Sequence, residues 1–489
     1  MSLFIKKSLD QLIAQSSDST KGLKRTLGAT NLILLGVGAI IGAGLFVRTA
    51  WAASEAAGPA VTLSFVVAAI GCGFAGLCYA EFASMIPIAG SAYTYAYATM
   101  GEFIAWIIGW ALILEYALAS ATVAIAWSEY LNNLLGGAIP YALCHSPLET
   151  SVDGVQGLIN LPAVGILVVL TLLLIKGTQE SAIVNAVIVF LKVSIVLIFI
   201  VVGWQFINPV NHTPFFIPEG TPGHESFRQH GFGGVLGGAA IVFFAFIGFD
   251  AVSTAAQEAK NPKRDMPIGI LGSLVFCTIL YILFSYVLTG VAPWQEFGTA
   301  GKEASVAFAI QNYMPGYGWL ATLISVAILA GFSSVILVML MGQSRVFYSM
   351  SNDGLMPKVF SELHPKFRTP YKSNMILFVF VGLFEGLIPG PVAGDLTSFG
   401  TLFAFVLVCA GVWVMRVKNP ELTRPFATPL VPLVPILGML VCSALIFSLD
   451  PDTQLVAFGW MLFGLVIYFA YGKTHSVLQK EKANSAGRP

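Results

Sequence analysis

Apolar residues run in long blocks separated by short polar breaks, rather than at the alternating or helical spacing of a water-facing fold. Blocks such as 182–207 and 455–471 are long enough, as helix, to cross a hydrocarbon core of roughly 30 Å. The pattern predicts an all-α polytopic membrane protein with twelve transmembrane helices. They fall at about 30–55, 59–86, 100–134, 162–178, 182–207, 233–259, 268–292, 317–350, 373–389, 396–416, 430–448 and 455–472. Composition agrees: of 489 residues, 56% are hydrophobic and 10% charged, against about 25% charged in soluble domains. Soluble enzymes and nucleic-acid binders are thereby excluded.

Lys+Arg and Asp+Glu both count 25, so placement says more than net charge. With both termini cytoplasmic, 21 of the 25 basic residues fall inside and three, Arg48, Arg228 and Lys302, outside. That asymmetry is the positive-inside signal of a multi-pass plasma membrane protein. Residues 1–27 are polar and carry five basic groups, so no cleavable signal is expected. The tails read as polar and mobile, with a weak amphipathic pattern near 3–14. Five of the six cysteines lie in apolar runs and Cys144 sits alone in a loop, which leaves no disulfide framework or CxxC metal site. No Walker motif occurs, and no cofactor or metal is expected.

Two of the predicted helices carry glycine clusters. The first contains Gly36, Gly38, Gly42 and Gly44; the sixth contains Gly233, Gly234, Gly237 and Gly238, followed by Phe243-Phe244-Ala245-Phe246-Ile247-Gly248-Phe249-Asp250. Each glycine costs a helix about 1 kcal/mol against alanine. Such clusters are either close-packing faces or points of unwinding. The first and sixth helices are equivalent if the first ten form two five-helix repeats, and interrupted helices in matching positions point to a transporter's binding site. Unwound backbone at mid-membrane must face a cavity or ligand. Its N–H groups suit a carboxylate and its carbonyls an ammonium, the two charges of an α-amino acid.

The Gly38-Ala39-Ile40-Ile41-Gly42-Ala43-Gly44 stretch resembles the first-helix signature of the amino acid–polyamine–organocation superfamily. The Phe243–Asp250 run with Asn261-Pro262-Lys263-Arg264-Asp265-Met266-Pro267 resembles its sixth-helix region, most closely in the cationic amino acid transporter branch. Tyr79-Ala80-Glu81-Phe82, Gly90-Ser91-Ala92-Tyr93, Ile113-Leu114-Glu115-Tyr116 and Ser349-Met350-Ser351-Asn352-Asp353-Gly354 extend the likeness over about 20–472. The resemblance implies a LeuT-like 5+5 inverted repeat plus two extra helices, with helices 1 and 6 broken. The chain then divides into a tail (1–29), a first repeat (30–207), an external loop (208–232), a second repeat (233–416), helices 11 and 12 (417–472) and a tail (473–489). It implies that the substrate carboxylate meets backbone N–H groups of Ile41, Gly42, Ala43 and Gly44. The amino group meets carbonyls of Ile40, Phe244, Ala245 and Ile247, and Phe244 is the aromatic gate. Many members have Ser or Thr where Ala43 stands, so here the backbone alone would bind the carboxylate.

Ionisable residues inside a span cost at least about 2.5–3.5 kcal/mol at mid-depth, so each requires a reason. Lys192 shares a helix face with Ser181 and Asn185; it is either a buried strut or a titrating group. The resemblance implies the latter, with its ammonium standing in for sodium between first-helix carbonyls and the hydroxyls of Ser333 and Ser334. Glu115, with Thr122 and Glu129 at seven-residue steps, either bonds a neighbouring helix or lines the distal end of the pocket. Asp250 is either a cap for the second half-helix or a proton site. All six histidines fall in loops or tails.

The expected activity is secondary active transport of neutral or cationic amino acids by proton symport and alternating access. Obligate exchange, a channel and a non-transporting receptor are the alternatives; a membrane enzyme lacks a convergent catalytic cluster. The expected partners are an amino acid, protons and the lipid bilayer, with the chain acting as a monomer; no signal bears on accessory subunits.

Overall fold

The computed structural model describes residues 3–7, 27–86, 91–151, 153–176, 182–298, 305–367 and 369–486. Side chains of 182–185, 257–258 and 484–486 lie outside that description, as do Ser181 and Gly90. Among the described residues the protein is all-helical, joined by two isolated β-bridges.

The first predicted helix is α1 (Ala29–Ile40), a break, and α2 (44–57), whose turns are partly of the wide π type. α3 (Val61–Met85), α4 (Ser91–Thr99) and α5 (Glu102–Leu134) follow, then α6 (Leu161–Lys176) and α7 (Ala182–Gly203). The sixth predicted helix begins as α8 (Gly231–Val242) and continues in the tighter 3₁₀ turns Phe243–Phe246 and Asp250–Glu258. α9 (Pro262–Val291), α10 (Ser305–Tyr313) and α11 (Gly318–Asn352) precede α12 (Tyr371–Leu387) and α13 (Gly390–Lys418). α14 (Leu433–Ser448), α15 (Pro451–Ile467) and α16 (Val477–Ala486) complete the chain. Eight helical stretches among the described residues are long and apolar enough to span a membrane. The shorter α1, α6 and α14 are apolar too.

Packing sorts these helices by composition. α5 and the interrupted sixth stretch are the most enclosed, while α15 turns most of its surface outward. α5 packs against α11 and α13, and α9 packs against α1 and α3. Exposed positions on the outer helices are apolar, as Phe190, Val201, Leu462 and Val466 illustrate, which is what a lipid-facing surface requires.

The described parts of both tails depart from the expected mobility. Residues 3–7 run beside α4 and α5, with Glu102 N–H donating to Ile5 O at 2.9 Å and Phe103 N–H to Leu3 O at 3.0 Å. The C-terminal tail forms α16. Buried Glu102 accepts from Tyr97 at 2.8 Å, Tyr468 at 3.0 Å and Gln479 at 3.2 Å, and also from Ser476. Lys7 Nζ lies 2.5 Å from Asp353 Oδ1 and Val477 N–H donates to Asp353 O at 3.0 Å. Both tails therefore meet at one end of the bundle. The expected amphipathic segment near 3–14 falls mostly outside the described residues.

Candidate functional site

The first helix stops because its ladder stops. Ile41 N–H still donates to Val37 O at 3.0 Å, but Ile41 itself is extended (φ −74°, ψ 101°). The next bond belongs to the following half, from Leu45 N–H to Gly42 O at 3.2 Å. Gly42, Ala43 and Gly44 lie between, so their N–H groups open the second half-helix, where the positive end of the backbone dipole sits.

The sixth helix fails one step differently. It tightens to 3₁₀ at Phe243–Phe246, Ile247 becomes extended, and Gly248 takes φ +116°. A side chain there would be strained, and a methyl group at Gly248 would lie 2.9 Å from the Ala39 carbonyl. The two breaks thus approach each other backbone to backbone. Gly44 meets Ala245 so closely that any side chain at 44 would overlap Ala245 backbone.

Tyr281 of α9 stands between the breaks. Its hydroxyl lies 2.9 Å from Ala245 O and 3.0 Å from Ile40 O, and its single proton is shared between them. Sequence reasoning passed over this residue; a lone tyrosine within the apolar run of the seventh predicted helix was the available signal. The breaks enclose a cavity lined by Ile40, Gly42, Ala43, Gly44, Phe244 and Ile247, with Ala119 and Val123 from α5 and Val335 and Met339 from α11. Its free volume is about 10 Å³, the room one water occupies. Its walls carry backbone dipoles and apolar side chains, with no ionisable group among them. Ile41 and Ala245 flank the breaks and do not line this space.

Lys192, 2% exposed, reaches from α7 to α1, and its Nζ donates to Gly38 O at 2.9 Å. α11 accommodates it at Gly331, where an added methyl group would sit 2.7 Å from Lys192 Cε. Ser333 and Ser334 lie two and three residues further along α11, and the Ser333 hydroxyl donates within its own helix, to Leu329 O at 2.9 Å.

Glu115 is fully buried one turn of α5 from Ala119, and is not among the cavity's lining residues. α13 approaches it at Gly400, and its carboxylate oxygens have no hydrogen-bond partner among the described residues. Asp250 braces the second break. Its Oδ1 accepts from Gly248 N–H at 3.2 Å and its Oδ2 from the Tyr116 hydroxyl at 3.4 Å, so it holds the turn before it. Glu81, near the end of α3, is an ion-pair centre. It takes Arg416 in a fork at 3.0 and 2.9 Å and Thr428 N–H at 2.7 Å.

A second, larger cavity of about 390 Å³ touches the first at Ala43. Thr122 and Glu129 of the α5 stripe line it, as does Arg48, which is paired with Asp395. Residues 135–151 close over this end with Tyr141, Glu149 and Thr150, carrying Cys144 and His145 into buried positions that their loop location did not suggest. Among the described residues no group of three His, Cys, Asp or Glu side chains is placed to hold a metal ion.

Residues 27–471 match a family described as amino acid permease. The chain is 47% identical over 482 residues to the branched-chain amino acid permease BcaP of Bacillus subtilis (strain 168), covering 98% of this chain and 99% of the relative. It is 41% identical over 482 residues to the methylthioribose transporter of the same organism, covering 98% and 100%. Over 422 residues it is 34% identical to the vacuolar cationic amino acid transporter 4 of Arabidopsis thaliana, covering 86% of this chain and 68% of the relative. A small apolar space between two broken helices and this agreement along nearly the whole chain lead to one conclusion: the protein belongs to the amino acid permease family of the amino acid–polyamine–organocation superfamily, and is a multi-pass plasma membrane transporter rather than an enzyme.

Proposed function

We propose that the chain imports neutral aliphatic amino acids, with branched-chain side chains preferred, by proton symport and alternating access. The observation that carries the substrate class is the composition of the cavity between the breaks: exposed backbone ends for a zwitterion, and Val123, Ile247, Val335 and Met339 around them. A cationic side chain would meet no lining carboxylate there, since Glu115 lies a turn away. The 47% identity to a branched-chain amino acid permease points the same way.

In this reading the twelve predicted helices cross the membrane as a LeuT-like 5+5 repeat, with α1, α6, α12 and α14 completing the count. The carboxylate sits on the N–H groups of Gly42, Ala43 and Gly44, Ile41 N–H being already bonded to Val37 O, and the ammonium on carbonyls of Ile40, Phe244, Ala245 and Ile247. Tyr281, which already holds two of these carbonyls, keeps them aligned. Phe244 covers the substrate. The cavity's small free volume requires the half-helices to move apart before a substrate enters. Lys192 couples the proton: protonated, its ammonium ties α7 to α1 beside the break, and deprotonated it releases that tie. Ser333 and Ser334 offer their hydroxyl oxygens to the ammonium from α11, and Asp250 stabilises the break. The basic-residue asymmetry puts the end where both tails meet Asp353 in the cytoplasm.

Leucine uptake into sodium-free proteoliposomes, empty or preloaded and with an imposed inward proton gradient, tests this. Gradient-driven accumulation in empty vesicles, displaced by isoleucine and not by arginine or methylthioribose, is the expected result. Uptake confined to preloaded vesicles would make the protein an exchanger, and displacement by arginine would move the substrate to the cationic class.

A further inference from the structure

The cavity between the breaks has different surroundings on its two sides. On one side it touches the larger cavity, at Ala43. On the other, toward the end where the tails meet, the helices that wall it carry buried polar groups. Ala119 of α5 and Met339 of α11 line the cavity. α5 begins and α11 finishes at the end of the tails, so one turn closer to that end are Glu115, four residues before Ala119, and Gln343, four residues after Met339. Residues four apart share a helix face. The two positions also stand at one level, because Tyr116 packs on Gly342, where an added methyl group would lie 3.3 Å from the tyrosine ring.

Glu115 and Gln343 are both fully buried. Neither oxygen of Glu115 and neither polar atom of the Gln343 side chain has a hydrogen-bond partner among the described residues. Neither residue lines either of the two cavities. Asp250, buried as deeply, is bonded to Gly248 N–H and the Tyr116 hydroxyl. A carboxylate has about four acceptor positions, and an amide has two donors and a carbonyl. Leaving such groups buried and unmet is destabilising, and folded proteins keep few of them. Two at one level, on the faces that wall the substrate cavity, are explained by a ligand that meets them in another state of the transport cycle. The unmet amide N–H groups suit a carboxylate and the unmet oxygens suit an ammonium, which is the chemistry of a zwitterion.

We propose that Glu115 and Gln343 form a release station for the substrate on its way from the breaks to the cytoplasmic end. The ammonium of the amino acid donates to Glu115 and to Gln343 Oε1, and its carboxylate accepts from Gln343 Nε2. The station is occupied when the cytoplasmic half of the bundle opens, and it lies closed in the present structure, where α13 covers Glu115 at Gly400. The proposal rests on the reading of the chain as a transporter of neutral amino acids.

Exchange of radiolabelled leucine into right-side-out and inside-out membrane vesicles, at equal pH on both sides, reads the KM from the external and the cytoplasmic face separately. In Gln343→Leu and in Glu115→Gln, the KM from the cytoplasmic face should rise about tenfold or more, as for loss of a hydrogen bond to a charged group. The KM from the external face should stay within about twofold of wild type. Gln343→Met, also apolar and unbranched, repeats the measurement if Gln343→Leu does not reach the membrane. Unchanged KM values from both faces would make the two groups structural and overturn the station. An equal rise from both faces would place them in the site between the breaks and overturn it too, as would the absence of all three variants from the membrane. Each of these results leaves the transporter reading intact, since wild type still exchanges leucine. No leucine exchange by wild type from either face would remove the neutral-amino-acid reading itself, and the station with it.

Discussion

Lys192 Nζ donates to Gly38 O at 2.9 Å, two residues before α1 loses its helical form. A buried ammonium is costly unless paired, so this carbonyl contact ties the charge on α7 to the geometry of the break. Methionine keeps the length of the side chain and carries no proton. With Lys192→Met, leucine uptake should lose its response to an imposed pH gradient, which for one proton supports about tenfold accumulation per pH unit. Uptake rates measured at several external pH values check this. A gradient response equal to wild type would return Lys192 to a structural strut.

Tyr281→Phe should separate binding from folding. The ring keeps its neighbours Phe65 and Phe246, each with centroids 5.4 Å away. The hydroxyl shared by Ile40 O and Ala245 O is lost, at about 0.5–1.5 kcal/mol for a hydrogen bond. Leucine affinity should fall by about two- to tenfold while the thermal unfolding midpoint stays close to wild type. A large drop in the midpoint with unchanged affinity would make the tyrosine a packing residue.

Two glycines two residues apart should behave differently. A methyl group at Gly42 meets Val335 side-chain carbon at 3.5 Å, an ordinary contact, whereas at Gly44 it overlaps Ala245 backbone. Gly42→Ala should retain most transport and Gly44→Ala should abolish it, both with normal amounts of protein in the membrane. Equal activity in the two variants would show that the breaks do not need to touch.

Glu81→Gln should destabilise the protein and leave substrate preference unchanged. The carboxylate is 1% exposed and serves Arg416, Arg424 and Thr428 N–H together. Removing one partner of a buried pair costs about 3–5 kcal/mol; the Arg416 side chain is 26% exposed, so water should return part of that. A lowered unfolding midpoint in detergent, with the leucine-to-arginine uptake ratio unchanged, is the expected outcome.

How far the chain order alone reaches is visible in particular residues. Membrane crossing was readable because lipid leaves no alternative to long apolar helices. The two breaks were readable as well: glycines and an extended Ile247 fall inside the clusters at 36–44 and 243–250. The family resemblance placed Lys192 against carbonyls of the first helix; that the carbonyl is the one of Gly38 was decided by the packing. Gly331, the α11 residue that makes room for the Lys192 side chain, was not singled out, because packing between α7 and α11 depends on side-chain volumes summed over both helices.

Other relationships belong to the tertiary structure alone. Tyr281 and Ala245 are 36 positions apart, and Tyr281 and Ile40 are 241 apart; nothing local in either segment marks the hydroxyl as the link between two breaks. Thr122 and Glu129 share a stripe with Glu115, yet the first two face a cavity while Glu115 is buried one turn away from the other, because α13 covers that part of α5 at Gly400. The described part of the C-terminal tail is held for a similar reason: Glu102, Tyr468, Ser476 and Gln479 satisfy one another only once α5 and the end of α15 are adjacent. Sequence by itself determined what must be helical and where the helix must fail, since those are costs paid residue by residue. Which groups meet at the failures was decided by packing, since hydrogen bonds and voids depend on pairs of surfaces that no single stretch of chain contains.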